Sequence, residues 1–295
     1  MNKCVLCGRK CGTDRNISTG FCGQSDKIKA ARAGLHMWEE PCISGKNGSG
    51  TIFFTGCVLG CVFCQNNKIS NGNIGKIIDE NRLAEIFFEL REKGAHNINL
   101  VTPTQFIPQI AGAVIKAKNQ KFDLPFVYNT GSYECVDSLK MLDGLIDIYL
   151  PDFKYYSDEP AKKYSKVNNY FEVADAAVEE MVRQRGECIF DKEGMMKKGT
   201  IIRHLVLPGG VKDSKKVIYH LHNKYGNRVF LSIMNQYTPM PGIEKEYPEL
   251  GRKITRKEYD EVVDFAIDIG VENGFIQEGG TAKESFIPDF DMEGI

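Results

Sequence analysis

Six short apolar runs punctuate the chain, at Thr51–Phe54, Asn97–Val101, Pro125–Asn129, Ile146–Leu150, Thr200–Leu207 and Val229–Met234. They are rich in Ile, Val, Leu and Phe, and several are apolar at successive positions, the pattern of strands buried on both faces of a parallel sheet. Between them, polar and apolar residues recur with a helical period at Asn81–Lys93, Gln105–Asn119, Tyr133–Asp143, Asn169–Arg185 and Ser214–Tyr225, and once more at Thr255–Ile269. Asn81 stands where an N-cap belongs and Gly94 where a helix stops. This alternation predicts an α/β sheet, either doubly wound or curled into a partial barrel. A complete eightfold barrel needs two further βα units, which the sequence after Met234 does not supply.

Residues 1–47 break the pattern. They carry five cysteines and little apolar periodicity, and read as a separate Cys-rich, metal-stabilised appendage. The core then spans 48–242, and 243–295 holds a last helix and an acidic, glycine-containing tail, expected to be loosely held from Glu278 onward. Composition changes this picture little. The chain has 295 residues, 42% of them hydrophobic, with a net charge of −1, enough for one substantial core and no bulk attraction to nucleic acid. No apolar run approaches the ~18 residues of a membrane span, and the first residues lack the apolar stretch of a signal peptide. Ten cysteines in so long a chain, clustered at metal-ligand spacings, point to a reducing cytoplasm rather than to a disulfide scaffold.

The chemistry centres on Cys57-Val-Leu-Gly-Cys61-Val-Phe-Cys64, directly after the first apolar run. Structural zinc wants four ligands, whereas three thiolates on one short loop can hold three irons of a cubane and leave the fourth open. The loop leaves the carboxyl end of its strand, the edge where active sites of parallel α/β folds form. Gly56 and Gly60 allow the tight bend. The alternative is three buried structural cysteines, an odd use of a glycine-containing loop.

This loop, with its aromatic Phe63 before the third cysteine, resembles the signature of the radical S-adenosylmethionine superfamily. Glu39-Glu-Pro, Gly48–Cys57, Cys64-Gln-Asn, Tyr128-Asn-Thr-Gly, Asp147–Lys154, Ile202–Gly209 and Gln236–Pro239 resemble more narrowly an uncharacterised branch related to pyruvate formate-lyase activating enzymes. The resemblance implies a partial (β/α)6 barrel with a [4Fe-4S] cluster on Cys57, Cys61 and Cys64. S-adenosylmethionine would chelate the open iron, and its reductive cleavage would give a 5′-deoxyadenosyl radical for hydrogen abstraction. It also implies an external electron donor of the flavodoxin or ferredoxin type, and a substrate that is a glycyl radical enzyme, another protein, a peptide or a small molecule.

Further candidates for cofactor contact follow the strand ends. Arg203 lies in the apolar run Ile201–Leu207, where a guanidinium is costly unless an anion meets it. The resemblance makes that anion the cofactor carboxylate, and the alternative is a structural Asp. Asp152 and Lys154, two apart at a strand end, share one face and match an Asp-x-Lys that the resembling enzymes place near the cofactor. Where the superfamily carries glycines and an acidic residue, this chain has Thr102-Pro-Thr104, whose hydroxyls or carbonyls would have to accept the ammonium protons. Asn129 and Gln236 end other strands and could meet ribose or adenine. The five histidines suggest no site.

Cys4-x2-Cys7-x3-Cys11 and Cys22 make a second, closed set of four thiols. Zinc and another iron–sulfur cluster both fit the count, although ferredoxins space their ligands C-x2-C-x2-C. The rival to an enzyme is a zinc-binding interaction module, which would leave Arg203 idle.

Overall fold

A computed structural model describes residues 3–70, 74–277 and 287–295. All six predicted strands form, as β2 (Ser49–Phe54), β4 (Ile98–Val101), β5 (Phe126–Thr130), β6 (Ile148–Pro151), β8 (Met196–Leu205) and β9 (Phe230–Met234). Four more join them: β1 (Ile28–His36), β3 (Lys76–Ile78), β7 (Ile189–Phe190) and β10 (Gly274–Ile276). The sheet runs β10-β9-β8-β6-β5-β4-β2-β1-β3, with β7 paired to β8. From β2 to β10 along this order every pair is parallel, and β1 adds antiparallel to β2. The architecture is that of a partial (β/α) barrel whose parallel part is one strand wider than the sequence predicts. That strand, β10, is three residues long with mostly exposed side chains, too short to register as an apolar run.

Side-chain alternation along the strands builds the two faces. Ile98, Leu100, Phe126, Tyr128 and Tyr149 pack outward against the helices Glu80–Glu92 and Ile107–Asn119. Val127, Ile148, Leu150 and Ile201 point to the concave side, where they meet Cys42 and Ile43. Those two belong to a four-residue helix, Pro41–Ser44, that fills the amino-terminal end of the strands. Asn97 fixes it by donating from Nδ2 to the Ile43 carbonyl at 2.7 Å while accepting from Ser49 Oγ at 2.6 Å.

Three local readings differ from expectation. Asp79, not Asn81, caps the first long helix, accepting from the Arg82 amide at 2.8 Å. Within residues 1–47, β1 is integral to the sheet, with Ala30, Ala31 and Ala33 at most 1% exposed. Its alanine-rich composition hides it, because small residues are as common in helices and loops. Residues 278–286 of the tail lie outside the described part, but 287–295 are fastened rather than loose. Met292 donates to the Ala31 carbonyl and Ala33 to that of Glu293, each at 2.9 Å, while Arg32 pairs with Asp291 and Glu293. Among the described residues no helix is long and apolar enough to cross a membrane.

Leu100 is fully buried in the centre of the parallel sheet. Leu100→Ala should lower unfolding stability by about 2–5 kcal/mol in urea titrations, through lost apolar burial and a residual cavity.

Candidate active site at the carboxyl edge of the sheet

The three-cysteine loop leaves β2 through Gly56, whose φ is +85°. A methyl added there would strike the Cys22 carbonyl and the Gln24 side chain, so only glycine fits. Gly60 turns the loop again with φ +68°. Cys57, Cys61 and Cys64 are free and partly buried, and the Leu59 amide donates to the Cys57 sulfur at 3.4 Å. Burial pushes the Cys64 thiol up to about 12, and the neighbouring Cys57 and Cys61 add to the rise. Burial also raises Cys61, against the pull of Lys154. Thiols crowded in this way become thiolates when a cationic centre compensates them. Among the described residues no three His, Cys, Asp or Glu side chains close to the spacing of a single ion. Three thiols on one glycine-hinged loop fit the polynuclear core that their spacing in the sequence implies. Phe63 packs behind them, edge-on to Tyr164 and Tyr237 at 6.3 and 6.4 Å between ring centroids.

A chain of charges extends from this loop into the barrel. Lys154, near Cys61, bonds Asp152 Oδ2 at 2.7 Å. Arg203 donates from Nε to Asp152 Oδ1 at 2.8 Å, from Nη1 to Glu39 Oε2 at 3.0 Å, and from Nη2 to Asn129 Oδ1 at 2.6 Å. Glu39 Oε1 accepts in turn from Asn99 at 2.9 Å and Asn129 at 3.2 Å. These side chains are at most 20% exposed, so Asp152 and Lys154 form a sheltered pair rather than a solvated one. Burial alone would lift the Asp152 carboxyl, but Arg203 and Lys154 bring it below the ordinary aspartate value. Burial lifts both Glu39 and Glu40 despite Arg203. Three carboxyls face two cations, and Glu40, whose Oε2 has no hydrogen-bond partner, is the natural holder of a proton.

The remaining predicted residues sit near this chain in different states. Thr102 adopts φ +58° at the end of β4, a strained conformation for a β-branched residue. Its carbonyl accepts from Gln105 Nε2 at 2.8 Å. The Thr104 hydroxyl turns away from the edge and donates to the fully buried Glu134 at 2.5 Å, so it is spent within the protein. Gln236 is tied to Gln277 through its side chain and to Gln65, next to Cys64, through its carbonyl. Arg203 is the largest surprise: protein carboxylates answer its charge without any ligand. The sequence pointed to that possibility only as a structural Asp; it marked Glu39-Glu-Pro as a motif without giving either glutamate a role, and it did not mark Asn99. Adjacent glutamates before a proline look like a solvated turn; only the fold carries them under the barrel.

Cys4, Cys7, Cys11 and Cys22 line one cavity, whose wall includes Val58 of the cluster loop. Their segment docks along Tyr133–Cys135, with Gly8 donating to the Tyr133 carbonyl at 2.9 Å and Cys135 to that of Leu6 at 3.1 Å.

A family model described as the Radical SAM superfamily matches residues 51–209, more than half of the chain. An uncharacterized protein of Methanocaldococcus jannaschii is 30% identical over 272 residues, covering 89% of this chain and 74% of that protein. Among solved structures, Streptococcus suis SuiB bound to the precursor peptide SuiA has a TM-score of 0.52 at 13% identity, over 79% of this chain and 49% of that one. SuiB bound to S-adenosylmethionine gives 0.52 at 13%, over 76% and 49%. At that identity the likeness is one of fold, and the chain spans about half the length of these structures.

Removing one side of the buried ion cluster leaves carboxylates uncompensated. Arg203→Met should cost about 3–5 kcal/mol by urea unfolding, and a loss below about 1 kcal/mol would contradict the network. His36, held neutral by burial and by Arg203 and Arg32, is depressed to about 4. The unfolded chain protonates this imidazole below about 6.5 while the folded chain does not, so stability falls as pH drops from 6.5 toward 4. The stability difference between wild type and His36→Gln should narrow across that window; a constant difference rejects the assignment.

Proposed function

The chain belongs to the radical SAM superfamily, and on that premise we propose that it reductively cleaves S-adenosylmethionine to generate a 5′-deoxyadenosyl radical for hydrogen abstraction. The family implies a [4Fe-4S] cluster and S-adenosylmethionine as its cofactors. The observation that carries the reading is the placement of three free cysteines on one hinged loop at the carboxyl edge of the parallel strands, with Lys154 beside Cys61. When bound, cluster and cofactor supply the one-electron cleavage of a carbon–sulfur bond.

In this reading Cys57, Cys61 and Cys64 ligate the cluster. Phe63, wedged between Tyr164 and Tyr237, keeps water from its rear. Lys154 offers its cation to the thiolate side, and Asp152 fixes that cation in place. Arg203 and Asn129 serve by holding Asp152 and Glu39 from below rather than by reaching outward. Thr102 and Gln236 present backbone groups at the rim, and Thr104 acts through Glu134. Cys4, Cys7, Cys11 and Cys22 hold a second metal, zinc or iron–sulfur. A flavodoxin- or ferredoxin-like donor supplies the electron, in a reducing compartment that keeps the ten cysteines out of disulfides.

The substrate we propose first is a glycyl radical enzyme, on the likeness to the activating enzymes. The second reading is modification of another protein, a peptide or a small molecule. It is favoured by the Cys-rich segment docked on Tyr133–Cys135, which narrows the same edge from one side.

Protein reconstituted anaerobically with iron and sulfide, reduced with dithionite and given S-adenosylmethionine should release 5′-deoxyadenosine and methionine. The Cys57→Ala/Cys61→Ala/Cys64→Ala variant should release none, and a silent wild type would end the enzyme reading. Paramagnetic resonance after mixing with candidate glycyl radical enzymes separates the two substrates: no glycyl signal removes the first.

A further inference from the structure

Arg9 stands between the two cysteine sets. Its Nε donates to the Val58 carbonyl at 2.9 Å and its Nη2 to that of Leu59 at 3.0 Å, both within the Cys57–Cys64 loop. Nη2 and Nη1 also donate to the carbonyls of Ser165 and Lys166, at 3.0 and 2.6 Å. The guanidinium lies 3.8 Å from the centroid of the Phe21 ring, next to Cys22. Arg9 itself falls between Cys7 and Cys11, so its stem is part of the segment that the four amino-terminal cysteines define. A second join lies at Gly56, which packs against the Cys22 carbonyl one residue before Cys57. The loop that presents the three thiols therefore has no framework of its own on this side. Its backbone is held by a segment with little apolar core, whose conformation four thiols must set.

The four cysteines of that segment gather around one cavity, Cys4 beside Cys11 and Cys11 beside Cys22, with Arg9 in its wall.

We propose that Arg9 makes retention of the Cys57–Cys64 site depend on the metal centre held by Cys4, Cys7, Cys11 and Cys22. The inference rests on the reading of Cys57, Cys61 and Cys64 as cluster ligands. Arg9 is a positioning residue: filling the amino-terminal site fixes its stem, and its fork then fixes the Val58 and Leu59 carbonyls.

The test is metal content and chelator release on the full chain. The Cys57→Ala/Cys61→Ala/Cys64→Ala variant should keep a metal at the amino-terminal cysteines, and a variant that keeps neither iron nor zinc would overturn the proposal. Arg9→Ala should lose iron from the Cys57–Cys64 site to a chelator about tenfold faster, the worth of one charge-assisted hydrogen bond. Arg9→Lys should match it, because an ammonium cannot reproduce the fork. The Cys11→Ser/Cys22→Ser variant should show the same acceleration, which covers the case of an Arg9 variant that folds poorly by circular dichroism. Unchanged release in both Arg9→Lys and Cys11→Ser/Cys22→Ser overturns the coupling. A wild type that takes no iron at Cys57, Cys61 and Cys64 instead refutes the reading beneath it.

Discussion

A guanidinium sealed inside a β-barrel must be answered by carboxylates, and the concave face of this sheet is organised around that requirement at Arg203. Asp152 meets it from the neighbouring strand and Glu39 from below. To bring Glu39 there, the chain after β1 must double back beneath the strands, which explains why Pro41–Ser44 is a short buried helix and not a surface turn. Asn99 and Asn129 then find their place as donors to the same carboxylate. Replacing such a set by apolar residues would often be neutral for stability. Its retention beside the cysteine loop is better understood as orientation: Lys154 is aimed toward Cys61 because Asp152 is pinned from its other side.

The cysteine loop answers a different constraint. Three thiols on one short loop repel as they ionise, and burial makes Cys61 and Cys64 harder to ionise. Such a loop is stable in that form only when something outside it supplies rigidity. Gly56 and Gly60 supply the bends, while Arg9, Ser165 and Lys154 supply the grip from three separate parts of the chain.

How far these features could be read in advance follows from the physics of each. The parallel strands were legible because burial on both faces writes continuous apolar runs, and the cysteine loop because metal ligands impose a spacing on the sequence itself. Asp152 and Lys154 were legible as neighbours two apart at a strand end. Glu39, Glu40 and Arg9 were not, since their partners lie far along the chain and nothing local distinguishes them from solvated charges. β1 escaped because its alanines carry no period, and β10 because three residues carry none. Arg203 was half legible: burial demanded an anion, but the sequence could not say that the protein itself provides two.

The segment 287–295 has a consequence beyond its own fastening. β3 covers β1 only as far as Ala30, which would leave the following amide and carbonyl groups as a naked border. Met292 and Glu293 occupy those groups, and Arg32 is drawn across them by two acids. An uncovered border of this kind invites strands from other molecules to join it. The segment thus fills, with this chain's own backbone, a border at which a further strand could otherwise add.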